Sequence, residues 1–416
     1  MKRKPGRTTI TLFSLLSITC LSAQNLSHYG SPVHKTVYVT SLATKVQLEI
    51  RVPREMELSS GINYPIFFLF DRQNDINYNY NLHTIDYLYS FGNIPAPLLV
   101  GVSFPASVRN KWTTPIQEKG QSDSLLQFLL VTFRKELARK YPLSDFTLLI
   151  GHSRTAMLSC YAITKFPEKV NAVVASSTSF FDFNSSYQQE VFEQFIGAKG
   201  KDSLQQHFYY FSSGRQNNGD LHDSSVNNLN NYMLGRHFPP GFHWKYYAEN
   251  TNHMSTPGLT TGRALNDIFS PCTMAINKCF DIVNNQSFND SVPFRQYYTA
   301  YKEASAQCGF TLHPGLNFYN SIASAYLNDY NNIFKDNKNK LAEAVLKEGI
   351  LKYPGYVGFY SLLAEIAIEN NKPADAKALL MKAKQKINSL GYYSGISKKE
   401  ELAYINELES KLLDKN

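Results

Sequence analysis

The sequence predicts an α/β domain built on a mostly parallel sheet, followed by an all-α helical domain. Three observations lead to this prediction. Continuous apolar runs, typical of strands buried on both faces, alternate with helical patterns as far as residue 248. From about residue 295 onward only helical patterns remain. The length of 416 residues exceeds the usual size of one domain, and a composition of 43% hydrophobic and 18% charged residues is typical of a globular protein.

The first strands of the predicted sheet are half-buried. Residues 37–39 and 46–52 alternate apolar and polar side chains, which indicates antiparallel strands. Further strands are predicted at residues 66–70, 98–102, 146–150, 172–175, 207–212 and 243–248. Helices are predicted between them at residues 124–140, 156–165 and 223–235. This alternation indicates parallel strands with right-handed crossovers, in a domain that spans residues 24–280.

Residues 295–416 are predicted to form the helical domain. Within it, residues 346–384 resemble a pair of tetratricopeptide repeats, with alanines at helix crossings, a proline at the turn and about 34 residues per unit. The alternative is a plain helical hairpin packed on the preceding domain. Both interpretations stay open, because scarcely two units are visible and fewer than three rarely fold alone. A protein partner or self-association is expected to use these helices.

The N-terminal residues 1–23 are predicted to be a secretory signal peptide. Basic residues precede an apolar run at 10–21, and small residues lead up to a cut near Ala23, so a secreted or periplasmic location is expected. A transmembrane anchor is the alternative, but the apolar run is about a dozen residues whereas a span needs about 20. Cys20 raises a lipoprotein alternative, for which residues 17–19 are a poor match. No membrane span is expected after cleavage.

Charge and cysteine content exclude several classes of partner. Removing the basic residues of the segment 1–23 lowers the formal net charge from +8 to +4. No Lys/Arg cluster with interleaved aromatic residues follows, so nucleic acid is not an expected partner. No Cys/His spacing suits zinc, and no metal or cofactor is expected. A disulfide between Cys272 and Cys279 stays open, since a short loop permits it and a helix does not.

A strand, a tight turn and a helix meet around Ser153. An apolar run ends at Ile150, Gly151 and Ser153 follow, and a helical pattern begins near Thr155. This is the context of a nucleophile elbow, in which the turn strains the serine backbone and exposes its hydroxyl. The backbone N–H of Arg154 is expected to form half of an oxyanion hole. Thr155 replaces the second glycine of the pattern and is expected to strain the turn, so Thr155→Gly is expected to keep or raise activity.

A nucleophilic serine requires a base and an acid, in the chain order serine, acid, histidine. His253 is the candidate base, because it follows the last predicted strand directly. Asp220 and Asp223 are the candidate acids, since both lie in the loop after the preceding strand. We prefer Asp220, because Asp223 is equally well explained as a helix N-cap. Glu249 is a third candidate.

Four separate segments resemble those of one family of α/β hydrolases. They are 63-NYPIFFLFDRQ-73, 94-IPAPLLVGVSFPASVRNKWTTP-115, 145-DFTLLIGHSRTA-156 and 253-HMSTPGL-259. Together they make residues 37–270 similar to the esterases that include esterase D and the enterochelin esterase-like and feruloyl esterase-like enzymes. The resemblance implies an α/β-hydrolase fold.

The resemblance also implies roles for individual residues. It implies Ser153 as nucleophile, His253 as base, and the backbone N–H groups of Arg72 and Arg154 as oxyanion donors. The chain departs from the family at Arg72, where the family has glycine, and at residues 155–156, where it has Gly-Gly. Both departures border the oxyanion hole.

Two functions follow from these observations. The first is a secreted serine hydrolase that cleaves a small-molecule or sugar-linked carboxylic ester through an acyl-enzyme. The presence of both Ser153 and His253 favours it. The second is a catalytically weak or inactive esterase-like scaffold that binds partners through its helical domain, and the residues Arg72 and Thr155 favour it. The tail, including residues 304–327, resembles the tetratricopeptide-like extension of some secreted members of the family.

Overall fold

The computed structural model describes residues 28–115, 121–178, 193, 205–214, 221–285, 291–329, 333–334, 337–393 and 395–414. The predicted signal peptide at residues 1–23 and the candidate acid Asp220 lie outside these residues. Within the described parts of the chain, no helix is both long enough and apolar enough to cross a membrane.

The described residues form an eight-stranded sheet with the strand order β1-β2-β4-β3-β5-β6-β7-β8. The strands are β1 Val33–Val39, β2 Thr44–Arg51, β3 Tyr64–Phe70, β4 Leu98–Ser103, β5 Leu143–His152, β6 Ala172–Ser176, β7 His207–Gly214 and β8 Phe242–Glu249. Strand β2 runs antiparallel to both β1 and β4, and the other neighbours are parallel. The predicted strands and their mostly parallel arrangement are confirmed.

Alternate residues of the central strands supply two hydrophobic cores, one on each face of the sheet. Phe67 and Leu69 belong to one core, whereas Phe68 and Phe70 belong to the other. Every residue of β3 is buried, because successive side chains of a strand point to opposite faces and both faces are covered. The continuous apolar run that predicted this strand is therefore explained by the helices on its two sides.

Helices cover both faces of the sheet. The helices of the first part of the chain are α1 Glu55–Leu58, α2 Asp75–Ser90, α3 Ala106–Thr113, α4 Gln121–Gln127, α5 Arg134–Ala138, α6 Arg154–Lys165, α7 Leu221–Leu234 and α8 Pro257–Ile268. A π-helical segment, Phe128–Phe133, joins α4 to α5, so the helix predicted at residues 124–140 is one tract with a local change of pitch. Helices α3 to α7 contribute to the second core, and α2 and α8 to the first.

The described chain after residue 270 is helical, as predicted from about residue 295. Its helices are α9 Ser270–Asn284, α10 Phe294–Cys308, α11 Leu316–Asn328, α12 Lys338–Lys352, α13 Val357–Glu369, α14 Pro373–Ser389 and α15 Gly395–Asp414. Helices α9 to α12 share the first core with the sheet, whereas α13 to α15 pack mainly around a third core. The tetratricopeptide-like interpretation stays a prediction.

Aromatic rings join the helical tail to the sheet. The ring centroids of Phe146 in β5 and Phe310 are 4.5 Å apart, and Phe269 lies 5.6 Å from Phe146. Such pairs stabilise a packing by about 0.5–1.5 kcal/mol beyond the area that they bury. The first helices of the tail therefore complete the hydrophobic core of the sheet.

The four described cysteines are buried and unpaired. Cys272 and Cys279 both lie on α9, where a separation of seven residues corresponds to about 10 Å along the axis. Because a disulfide requires Cα atoms within about 7 Å of each other, this helix keeps the two thiols apart. Of the two alternatives for this segment, a loop that permits the disulfide and a helix that does not, the structure shows the helix.

A buried carboxyl lies where the tail meets the sheet. Glu55 in α1 is only 7% exposed, and the Tyr89 hydroxyl donates a hydrogen bond to its Oε2 at 2.6 Å. Burial raises the pKa of Glu55 to about 7, although hydrogen bonding by Tyr89 opposes the shift. The folded protein therefore holds a proton on Glu55 at pH values where an exposed glutamate is ionised.

We expect Glu55→Gln to stabilise the protein at pH 8. Since the folded pKa of about 7 lies above the ordinary value of 4.5, stability decreases as pH rises through this window. Glutamine keeps the shape of the side chain and carries no charge, so at pH 8 it removes a penalty of up to about 3 kcal/mol. Urea unfolding at pH 5 and pH 8 measures the difference, which should be much smaller at pH 5. Glu57→Gln, at an exposed position of the same helix, is the control.

Equal free energies of unfolding for wild type and Glu55→Gln at both pH values would contradict this expectation.

Candidate active site

The elbow around Ser153 has the strained backbone that its sequence predicts. Ser153 follows the last residue of β5 and precedes the first residue of α6, with φ 58° and ψ −118°. Its N–H donates to the Ser176 carbonyl at 2.9 Å, which fixes the turn to the neighbouring strand β6. A positive φ is uncommon for a residue other than glycine, and such strain is concentrated at functional sites.

Gly151 permits the close approach of the strand to the helix. A Cβ at this position would lie 2.4 Å from the Thr155 carbonyl oxygen, a distance that real Cβ atoms essentially never show. The first glycine of the pattern is therefore required by the backbone of α6.

Thr155, at the position of the second glycine, is fully buried and hydrogen bonded. Its Oγ1 accepts from the His152 N–H at 3.0 Å and donates to Asp71 Oδ2 at 2.8 Å. The hydroxyl thus connects the first turn of α6 to the loop that follows β3. The sequence pattern around Thr155 indicates strain but does not reveal this stabilising contact, because Asp71 is 84 positions away.

Asp71 is the centre of a polar network beside the elbow. The guanidinium of Arg109 donates to both carboxylate oxygens, from Nε at 2.8 Å and from Nη2 at 2.9 Å. Gln73 Nε2 donates to Oδ1 at 2.8 Å. These hydrogen bonds hold Asp71 at φ 59°, and the contact with Asp71 raises the pKa of Arg109. A bidentate pair of this kind is among the stronger ionic hydrogen bonds in proteins, so it fixes α3 against the end of β3.

The backbone N–H of Arg72, which the resemblance implies as an oxyanion donor, is hydrogen bonded within the sheet. Its backbone N–H donates to the Val102 carbonyl of β4 at 3.0 Å, so in this conformation that N–H is part of the sheet and is not presented to a substrate. Its side chain turns away to Glu49, where Nε donates to Oε2 at 2.6 Å. Burial acts to raise the pKa of Glu49, but hydrogen bonds from Arg72, Tyr78 and Arg51 outweigh this effect and lower the pKa. Arg72 therefore stabilises the antiparallel edge of the sheet.

Arg154 begins α6, where the first N–H groups of a helix have no acceptor within the helix. Its guanidinium Nη1 donates to the hydroxyl of Thr114 at 3.2 Å, so the side chain extends toward the end of α3. The N-terminus of a helix favours negative charge, which is the property that an oxyanion site needs.

The structure brings the loop of His253 to the elbow. His152 Nε2 donates to the His253 carbonyl at 2.8 Å, and the two imidazole rings are 4.9 Å apart. Within the loop, Asn252 Oδ1 accepts from the N–H groups of Met254 and Ser255, both at 3.0 Å. His253 thus lies beside the residue that precedes Ser153, on a loop that its own hydrogen bonds shape.

The end of β7 lies against this loop. A Cβ on Gly214 would be 2.6 Å from the Thr251 carbonyl oxygen. The Thr256 hydroxyl donates to the Asn252 carbonyl at 2.9 Å and lies 2.7 Å from the Ser177 hydroxyl. Strands β6 and β7 therefore both help to hold the loop of His253 in place.

The two described candidate acids have other partners. Asp223, in the first turn of α7, accepts a hydrogen bond from the Ser213 hydroxyl at 2.5 Å. Glu249 is buried and pairs with Arg263, whose Nη1 lies 3.0 Å from each carboxylate oxygen. Among the described residues, neither carboxylate hydrogen bonds to His253. Asp220, the preferred acid of the sequence analysis, lies outside the described residues.

Comparison with known proteins gives the fold. No family model and no curated protein matches the sequence. An IroE-like serine hydrolase from Shewanella oneidensis has a TM-score of 0.58 at 16% identity, over 76% of this chain and 99% of that one. An uncharacterised protein from Capnocytophaga ochracea has a TM-score of 0.53 at 15% identity, over 91% of this chain and 99% of that one. The chain has an α/β-hydrolase fold, and the second match extends into its helical tail.

We expect Thr155→Val to lower the free energy of unfolding by about 1–3 kcal/mol, because valine keeps the shape of threonine and removes the hydroxyl that joins His152 N–H to Asp71. Thr155→Ser keeps that hydroxyl and is expected to lower the free energy of unfolding by less. Urea unfolding of the two variants measures the difference. Thr155→Gly removes the same hydroxyl and is expected to destabilise the elbow; its effect on activity, which the sequence predicts to be neutral or favourable, is a separate measurement. A valine variant as stable as wild type would show that the hydroxyl has no structural role.

Proposed function

We propose that the chain is a serine hydrolase that cleaves carboxylic esters, with Ser153 as the nucleophile and His253 as the base. The observation that carries the proposal is the strained backbone of Ser153 at the carboxyl edge of the sheet, with the loop of His253 held against it. The likeness in fold to a protein described as a serine hydrolase supports the reaction class. A secreted or periplasmic location is proposed from the basic and apolar order of residues 1–23.

The reaction proceeds in two acyl-transfer steps. Ser153 Oγ attacks the ester carbonyl carbon, and His253 accepts the hydroxyl proton. The tetrahedral intermediate collapses when the carbon–oxygen bond of the leaving alcohol breaks, and the imidazolium returns the proton to that oxygen. Water, activated by the same imidazole, then attacks the acyl-enzyme and releases the carboxylic acid and the free Ser153 hydroxyl.

The N–H of Arg154 is the proposed donor to the oxyanion of both intermediates. A donor in such a site contributes about 3 kcal/mol to transition-state stabilisation. Arg72 N–H is engaged with Val102, so a rate below that of a hydrolase with two backbone donors is expected. The polar network of Asp71 and Thr155 keeps the first turn of α6, and with it the N–H of Arg154, in a fixed position.

Asp220 is the proposed acid that orients the imidazole. In the sequence it directly precedes α7 and follows β7, and the chain order of the fold requires an acid between the serine and the histidine. Asp223 and Glu249 support the choice indirectly, since their carboxylates are bound to Ser213 and Arg263. The proposed substrate is a small-molecule or sugar-linked ester.

The second candidate function is a non-catalytic scaffold that binds partners through the helical tail. The engagement of Arg72 N–H in the sheet is the observation that favours it, because it leaves the oxyanion site with one fewer backbone donor. The two candidates differ in whether Ser153 reacts.

We expect a fluorophosphonate probe to label the wild-type protein and to leave Ser153→Ala unlabelled, because the probe reacts with activated serines. Hydrolysis of an activated aryl ester should fall at least about a thousandfold in Ser153→Ala and in His253→Ala. Intact-protein mass spectrometry and initial rates are the measurements. Ser103→Ala, at the end of β4 on the same edge of the sheet, is the matched control and should retain both properties.

The hydrolase proposal would be contradicted if the folded wild-type protein took no label, or if Ser153→Ala took as much label as wild type. Either outcome would favour the scaffold function.

A further inference from the structure

A cavity lies at the opposite end of the sheet from Ser153. It has a volume of about 180 Å³ and lies between the beginnings of β3 and β4 and the helices α9 to α11. Tyr64, the first residue of β3, lines it, whereas Ser153 follows the last residue of the parallel strand β5. The cavity is therefore separate from the candidate active site.

The lining combines aromatic rings with one acidic side chain. Tyr64, Tyr89, Tyr301 and Phe318 all contribute to it. Of the described residues that line the cavity, Glu55 is the acidic one, and none is a lysine or an arginine. Burial and the charge of Lys352 lower the pKa of His313, a further lining residue, so its imidazole is neutral at pH 7. The wall thus has no positive charge of its own to balance a carboxylate.

Glu55 is hydrogen bonded but has no salt-bridge partner among the described residues, although the charge of His28 acts to lower its pKa. Tyr89 donates to its Oε2, and no described lysine, arginine or histidine forms a salt bridge with it. A buried carboxylate is unfavourable unless a positive charge accompanies it, and aromatic faces also attract cations. A carboxyl that is 7% exposed and lines an aromatic cavity is suited to an ammonium group.

We propose that this cavity binds a small organic amine, with the ammonium group at Glu55 and an apolar ring among the aromatic side chains. The juxtaposition that carries the proposal is one buried acidic side chain, without a salt bridge to any described residue, in a space walled by aromatic rings. The proposal does not depend on the function assigned to Ser153.

The volume limits the size of the ligand. A dry apolar cavity of about 150 Å³ accommodates benzene in another protein. A space of about 180 Å³ therefore accommodates one six-membered ring with a short aminoalkyl arm. Phe91, which lines the cavity and is 68% exposed, lies at its opening to solvent.

Binding would connect the two parts of the fold. Glu55 and Tyr64 belong to the sheet domain, whereas Tyr301 and Phe318 belong to α10 and α11 of the tail. A ligand held between them binds the folded protein and not the unfolded chain, so it raises the unfolding temperature.

Isothermal titration of the full chain with benzylamine tests the proposal, with benzyl alcohol as the neutral ligand of the same shape. We expect benzylamine to bind saturably, and we expect the affinity for benzyl alcohol to be at least about tenfold lower. Glu55→Gln should reduce benzylamine affinity by at least about tenfold, because it removes the charge and keeps the shape of the side chain. Glu57→Gln, on the exposed side of α1, should bind as wild type does.

Ala96→Leu provides an independent variant, since Ala96 is buried, lines the cavity and leaves the charge of Glu55 unchanged when it is substituted. The larger side chain should fill the space and abolish binding of both ligands. Hydrolysis or labelling at Ser153 is measured in parallel and should be unchanged in all three variants, so a failure of this proposal is distinguishable from a failure of the proposed function. Undetectable benzylamine binding, equal binding of benzyl alcohol, or full affinity in Glu55→Gln would overturn the proposal.

Discussion

The close approach of β5 to α6 is the constraint on which the candidate site depends. The chain reverses direction at Ser153, which therefore has a positive φ. This reversal brings the Thr155 carbonyl so close to Gly151 that no Cβ fits there. The same close approach brings the Thr155 hydroxyl to Asp71, which also accepts a hydrogen bond from Arg109. One steric requirement thus fixes the serine, the start of α6 and the loop after β3 relative to one another.

The helical tail is part of the structure that supports this arrangement. The rings of Phe269 and Phe310 pack on Phe146 in β5, the strand that ends at the elbow. The tail therefore covers a face of the sheet that would otherwise expose apolar surface to water. The junction is not perfectly filled, and the buried carboxyl of Glu55 lies beside the remaining space. A buried carboxyl is unfavourable for stability, which is consistent with a role in binding.

Local patterns in the sequence were sufficient for the fold and for the elbow. The apolar run of β5, followed by Gly151 and Ser153, contains in a few neighbouring residues all the information that the turn requires. The contact between Thr155 and Asp71 could not be predicted in this way, because the two residues meet only when β3 and β5 pair in the sheet. The engagement of Arg72 N–H with Val102 likewise depends on strand register, which composition and spacing do not specify.

The central claim is that Ser153, His253 and the N–H of Arg154 act on one carbonyl group. A crystal structure of the protein after reaction with an aryl phosphonate tests this most directly, because the adduct imitates the tetrahedral intermediate. We expect phosphorus bonded to Ser153 Oγ, a phosphonyl oxygen about 3 Å from the Arg154 nitrogen, and the His253 ring within hydrogen-bonding distance of Ser153 Oγ. An adduct on another residue, or a phosphonyl oxygen turned away from the Arg154 nitrogen, would contradict it.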